Sequence, residues 1–374
     1  MKIKKIYIDC SKLKIAPFQS DVGECLILNK TITEHYIEIA KKLKLDILES
    51  EDVVDGEYYL YVCTDTYASE SLLKNFIEKA TGACRLDIKA SLLKKFANEW
   101  IEKITKTSTV YNVAIKTKKQ RVRDLPVLSL DANEKTIHAT KRHWALDVGI
   151  ADELPIVEFH LYKIRHWRDW WFSNWVLLGH ETNHLRNIQN LKDVTLGQNT
   201  HIIKSVIGKN VTIGSNVIIE NSIVGDDVII GTGSIIKDSS VCNKSMIGEN
   251  SFLKACILCE SVAIGIGDKF QSSIFGKEVF VAVSVNIADL CVKRNVKVIY
   301  NNSTVDSGLG FLGAAIGDNS FIGLDVNIGP GTEIPSKTVI VRKDVINNKN
   351  IKQMITSYNI YNISSDGLEK KYDK

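Results

Sequence analysis

Between Leu196 and Ile287 an apolar residue recurs at spacings of six, six and five: Leu196, Ile202, Ile207, Ile213, Ile219, Val224, Ile230, Ile236, Val241, Ile247, Leu253, Leu258, Ile264, Phe270, Phe275, Val281 and Ile287. A beat that closes every seventeen residues describes a three-sided coil in which one side or corner is a residue shorter than the others. A strand of about five residues cannot bury its apolar face alone. Stacked coils can, because they set each ladder residue over the next at about 4.8 Å and pair every backbone group with a neighbour. The residues between ladder positions are Asn, Asp, Ser, Thr and Lys, as in Gly208-Lys209-Asn210 and Gly225-Asp226-Asp227, which suits an outer face in water. Gly follows the ladder residue at 197, 208, 214, 225, 231, 248, 265 and 276. Corners with positive φ are expected there, since Gly tolerates them. The beat resumes at Ile316, Ile322, Ile328, Ile334 and Ile340, for about seven coils in all.

A chain of 374 residues has room for two or three domains. All six Trp and seven of the eight His lie before residue 186, and only His201 falls within 191–342. The net charge of +4 has both signs interspersed, so no nucleic-acid or membrane partner is expected. Eight Cys at 10, 25, 63, 84, 242, 256, 259 and 291 follow no paired spacing and read as reduced thiols. The only apolar run near the start, Ile6-Tyr7-Ile8, is too short for a signal peptide or a membrane span, and a cytoplasmic location is expected.

Before the ladder, residues 3–8 and 57–63 read as strands, each followed by a helical pattern, Thr33 to Leu45 and Ser69 to Ala80. A third helix fits 90–104, with strands at 110–115 and 125–130. Strands alternating with helices predict an α/β layer with parallel strands. An aromatic helix runs from His166 to about Leu185, carrying Trp167, Trp170, Trp171 and Trp175.

The hexads of 191–342 resemble the bacterial hexapeptide-repeat family, and that resemblance implies a left-handed parallel β-helix. Four further stretches resemble sugar-1-phosphate nucleotidyltransferases of the N-acetylglucosamine-1-phosphate uridyltransferase type. They are Ala16-Pro17-Phe18 through Leu26–Lys30 to Thr33-Glu34-His35; Val62-Cys63-Thr64-Asp65; Arg165-His166-Trp167 with Ser173–Leu178; and Leu312–Asn319. The resemblance implies an abbreviated nucleotidyltransferase-like α/β domain over 1–165, a connector helix over 166–190, the β-helix over 191–342 with an insertion at 288–310 containing a hairpin near Val296–Asn302, and a C-terminal tail over 343–374. It also implies a homotrimer of sugar-nucleotide metabolism, Mg²⁺ on Asp65, and a nucleotide or sugar phosphate as the small-molecule partner, with Lys12 and Lys14 near its phosphates. The chain departs from the pattern after its first strand. Asp9–Pro17 holds neither Gly nor Arg, and no Lys lies between Lys14 and Lys30, although nucleotidyl transfer needs amides and cations around the triphosphate. An eroded transferase domain follows from that departure.

Other residues offer competing chemistry. His180-Glu181-Thr182-Asn183-His184 matches the two-histidine zinc pattern formally, with no third ligand in a suitable place. His201 is the one histidine on the ladder and so the candidate general base of a hexapeptide-repeat acyltransferase. Cys256 and Cys259 flank inward-pointing Leu258 and read as buried thiols. The Trp cluster reads as packing more readily than as a sugar-stacking platform. Three readings stand: a nucleotidyltransferase-like protein, an acyltransferase, and a non-catalytic trimeric scaffold or regulatory subunit.

Overall fold

The computed structural model describes residues 2–51, 56–89, 91–118, 120–132, 135–138, 153–156, 158–183, 191, 193–291, 294–342, 359–364 and 367–370. The fold class is the expected one: an α/β N-terminal part followed by a left-handed parallel β-helix. Two compact units divide the chain, one of Met1–Ile15, Ser20–Ser173 and Asp306–Leu309, the other of Ala16–Gln19, Asn174–Val305 and Gly310–Lys374.

In the first unit the principal strands are β1 (Lys5–Asp9), β2 (Asp46–Leu48), β3 (Tyr59–Cys63), β4 (Thr66–Ala68), β5 (Cys84–Ile88), β6 (Val113–Lys116), β7 (Val127–Leu130) and β8 (Leu161–Lys163); two short two-stranded pairs, Leu26–Ile27 with Lys30–Thr31 and Lys135–His138 with Glu153–Ile156, complete the set among the described residues. The helices are α1 (Ile32–Leu43), α2 (Glu70–Lys79), α3 (Leu92–Thr105) and α4 (Trp167–Asn183), the last crossing from one unit into the other. Helix α1 starts where Thr31 accepts from the Glu34 amide while the Glu34 carboxylate accepts from the Thr31 amide, a reciprocal cap that satisfies two orphan donors. Its buried stripe of Ile32, Tyr36, Ile39 and Ala40 follows the 3.6-residue period. The main sheet has the order β2-β1-β3-β6-β5-β7. It is mixed, where an all-parallel layer was expected, because β6 lies antiparallel to both β3 and β5. The period of a short apolar run fixes which face is buried and carries no information on direction.

Four aromatic side chains of α4, Trp167, Trp170, Trp171 and Phe172, are buried. The Trp170 indole donates to the Leu26 carbonyl at 2.8 Å, and Asp169 accepts from the Trp100 indole at 2.8 Å. Arg168 is fully enclosed: its guanidinium donates to the carbonyls of Phe96, Ala97 and Ser307 and lies over the Trp100 and Phe172 rings. These rings and indole donors are occupied by packing, as the sequence implied.

In the second unit three parallel sheets form the sides of the coil. One ladder reads Ile202, Ile219, Ile236, Leu253, Phe270, Ile287, Ile328; another reads Ile207, Val224, Val241, Leu258, Phe275, Ile316, Ile334. All but the first residues are buried; Leu196, on the strand that begins its sheet among the described residues, is 45% exposed. The strands are two or three residues long, shorter than expected, since the corners consume the rest of each side.

The glycines after ladder residues serve a different purpose from the expected one. The left-handed positions fall two residues later, on Asn199, Asn210, Asn216, Asp227 and Asn250 with φ of 54–57°, a conformation Asn and Asp tolerate best among residues with a side chain. Gly is required instead by proximity: a Cβ on Gly248 would stand 2.3 Å from the Gly265 carbonyl of the next coil. Buried serines tie one coil to the next. The Ser205 hydroxyl accepts from Ser222 N, Ser222 from Ser239 N and Ser239 from Cys256 N, at 3.0–3.1 Å. The hairpin expected in the insertion is Lys297–Tyr300 with Ser303–Asp306. Within the C-terminal tail two strands join one sheet: Asn359–Ser364 pairs parallel with Thr338–Ile340, and Gly367–Lys370 pairs antiparallel with Asn359–Ser364.

Candidate functional site

The first unit carries a cavity of about 690 Å³, within the range of small-molecule sites. Its place follows from the sheet. Strands β1 and β3 run parallel and end at Asp9 and Cys63, and the space beyond the carboxyl ends of such strands is where open α/β sheets take ligands. The antiparallel β6 begins there, so Asn112, just before it, arrives at the same edge. Strand β8 pairs with β4 in the register Lys163 to Thr66, which brings Lys163 beside Asp65.

Four cations line the cavity: Arg121, Arg123, Lys163 and Arg165. Hydroxyls of Thr107, Ser108, Thr109 and Tyr61 accompany them, and no carboxylate is among the described lining residues. Arg121 occupies the N-cap position of the short 3-10 turn Val122–Asp124 and Arg123 lies within it; both are exposed. Arg165 is braced by Thr109 Oγ1 at 3.0 Å and Asn98 Oδ1 at 3.3 Å. Tyr61 donates its hydroxyl to Asp9 Oδ2 at 2.5 Å, and burial, then this bond, pushes its phenol well above the usual range. Burial also raises the Cys63 thiol to about 12, so it is no nucleophile near neutrality.

Asp65 was expected to hold Mg²⁺. It is buried, and its oxygens already have partners: Oδ1 accepts from Thr66 Oγ1 at 2.8 Å, while Oδ2 accepts from Asn112 Nδ2 at 2.8 Å and from the Lys163 ammonium at 2.5 Å. Mg²⁺ demands near-octahedral oxygen at about 2.0–2.1 Å and repels a neighbouring ammonium, so these residues do not fit it. Lys12 and Lys14, expected near phosphate, both pair with Asp21, at 3.4 and 2.9 Å, and neither lines the cavity. Lys14, then Lys12, holds the Asp21 carboxyl below its ordinary range. The sequence signal missed was the run 116–123, in which five of eight residues are Lys or Arg.

The remaining candidates lie elsewhere. His201 is exposed at the start of the short strand His201–Ile203, in register with Ile218. His180 Nδ1 lies 3.8 Å from Glu181 Oε1 within α4, and His184, the second histidine of the zinc pattern, falls outside the described residues. Among the described residues no group of three His, Cys, Asp or Glu could hold a metal ion. Cys256 and Cys259 are buried and unbridged, with Cys256 raised to about 12 by burial. No described helix is long and apolar enough to cross a membrane.

No protein-family model matches the sequence. No curated protein matches it either. Among solved structures, a Bacillus cereus protein provisionally described as an acetyltransferase is similar over 40% of this chain and 78% of its own, at 15% identity and a TM-score of 0.24. A likeness of that degree carries nothing about activity to this chain.

Proposed function

We propose that the first unit binds a phosphorylated small molecule, a sugar phosphate or a sugar nucleotide, in its cationic cavity, and that the protein works in cytoplasmic sugar-nucleotide metabolism as a nucleotidyltransferase-like protein that has lost the transfer machinery. One observation carries the reading: four cations and several hydroxyls converge on one cavity beyond the ends of β1 and β3, and the guanidinium groups of Arg121 and Arg123 there have no partner among the described residues. Arg presents five donors in a planar fork suited to phosphate oxygens. The loss of transfer is argued from the same residues, since the segment after β1 lacks Gly and Arg and Asp65 is committed to Lys163. The eight free thiols are in keeping with a reducing compartment. The test is a thermal-shift screen of nucleotides, sugar phosphates and sugar nucleotides. A selective rise in Tm is expected, because a ligand of the native state stabilises by mass action, about 2.7 kcal/mol at one hundred times Kd. A flat response to every phosphorylated compound sinks the reading.

Acyl transfer on the β-helix is the second reading, favoured by the exposure of His201, the one histidine from 185 to 374. A neutral, solvent-reached imidazole can serve as general base toward a hydroxyl or amine. Acetyl-coenzyme A binding that survives but turns over no acceptor after His201→Ala would support it; no binding to the unaltered protein would remove it. Under either reading the protein is proposed to be a homotrimer. The outward positions Ile229, Met246, Ala263, Phe280 and Phe321 follow one another up a single face; the four large ones are 37–50% exposed, and the Phe280 and Phe321 rings are stacked 5.1 Å apart. A stripe of that kind favours burial against another copy.

A further inference from the structure

We infer that the Lys163 ammonium takes, beside Asp65, the position of a divalent cation, so that the cavity grips phosphate without a metal ion. The inference rests on the reading of the cavity as a phosphate site. Lys163 is a lining residue whose side chain is 11% exposed. Its ammonium has three N–H donors. One goes to Asp65 Oδ2, and no other acceptor among the described residues takes the remaining two. A largely enclosed cation at the wall of a cavity, with two donors that no described residue takes, is suited to an anionic ligand.

The neighbourhood fixes that ammonium. Strand β8 is in register with β4, and the Ile164 amide, next along the chain, donates to the Asp65 carbonyl at 2.8 Å, so main chain and side chain both tie 163–164 to 65. Asn112 and Thr66 hold the carboxylate from its other sides. Asp65 therefore acts as a positioning residue, and Lys163 is the group that meets the ligand. A lysine binds phosphate as a point charge, and with Arg121, Arg123 and Arg165 around the same cavity the neutralisation is supplied by side chains throughout.

The test is titration calorimetry of the full chain with inorganic pyrophosphate, in buffer with EDTA and again in excess Mg²⁺. The unaltered protein is expected to bind in both buffers with Kd values within a factor of about three. Lys163→Met is expected to bind pyrophosphate about tenfold or more weakly in EDTA, the loss of one charged hydrogen bond. It is also expected to take up one Mn²⁺ per chain by electron paramagnetic resonance, as the released Asp65 becomes available to a cation. Because a buried carboxylate left alone can unfold the protein, Asp65→Asn/Lys163→Met is measured in parallel. It should lose pyrophosphate affinity equally and take up no Mn²⁺. Pyrophosphate binding by the unaltered protein only with Mg²⁺, or undiminished binding by both variants in EDTA, overturns the inference while leaving the cavity as a phosphate site. Pyrophosphate binding in neither buffer overturns the cavity reading and the inference together.

Discussion

At the scale of single residues, charge placement decides what the first unit can do. The guanidinium groups of Arg121 and Arg123 are exposed and have no hydrogen-bond or ion-pair partner among the described residues, so Arg121→Ala/Arg123→Ala should leave thermal stability unchanged within experimental scatter while weakening a phosphorylated ligand by about tenfold or more. Lys12→Ala/Lys14→Ala, by contrast, should leave ligand affinity intact, since both lysines belong to Asp21. The sequence named Lys12 and Lys14 near an expected phosphate, whereas the cavity is lined by other cations, because proximity to the first strand in sequence is not proximity to the end of the sheet. The sequence singled out Asp65 as a metal ligand; the lysine it pairs with was not legible, since Lys163 lies 98 residues away and only the pairing of β8 with β4 joins them. A second charge prediction lies in the β-helix. Asp268 is fully enclosed, accepting from Gly265 N and Val285 N at 2.9 and 2.7 Å, and burial raises its carboxyl to about 7. The folded chain thus keeps this proton over a range where the unfolded chain has released it. Its contribution to stability is complete below the unfolded value near 3.8 and is lost as pH rises through about 7. Thermal melts should fall as pH rises from about 5 to about 7 in the native protein and level off above, and Asp268→Ser, which copies Ser251 one coil earlier, should flatten that slope.

At the scale of elements, the seventeen-residue beat was readable because each coil repeats the same burial. Its corners were misread because a sequence shows which residue is small without showing whether φ or proximity demands it. Gly248→Ala should therefore destabilise the β-helix by about 1–3 kcal/mol by pressing a methyl against the Gly265 carbonyl, measured by chemical denaturation; a neutral result would mean that the coils separate easily there. In the first unit Thr31→Ala should cost about 1 kcal/mol through loss of the reciprocal cap on α1. The tail strands escaped the sequence reading, since Asn359–Ser364 owes its strand to the open edge of Thr338–Ile340 and not to any period of its own.

At the scale of the whole molecule, two units with different physics share one chain. The second is a repeat whose stability adds coil by coil; the first is a layered domain with a cationic cavity at one edge of its sheet. An apolar outward stripe along a β-helix face predicts association, and Ile229→Asp/Phe280→Asp should shift the protein from trimer to monomer in sedimentation velocity; an unaltered protein that sediments as a monomer contradicts the proposed trimer. The most direct measurement of the central claim is a crystal structure of the full chain with a nucleoside diphosphate sugar. The account predicts phosphate oxygens within hydrogen-bonding distance of Arg121, Arg123 and Lys163. Ligand density beside Lys12 and Lys14, or against the β-helix with the cavity of the first unit empty, would contradict it.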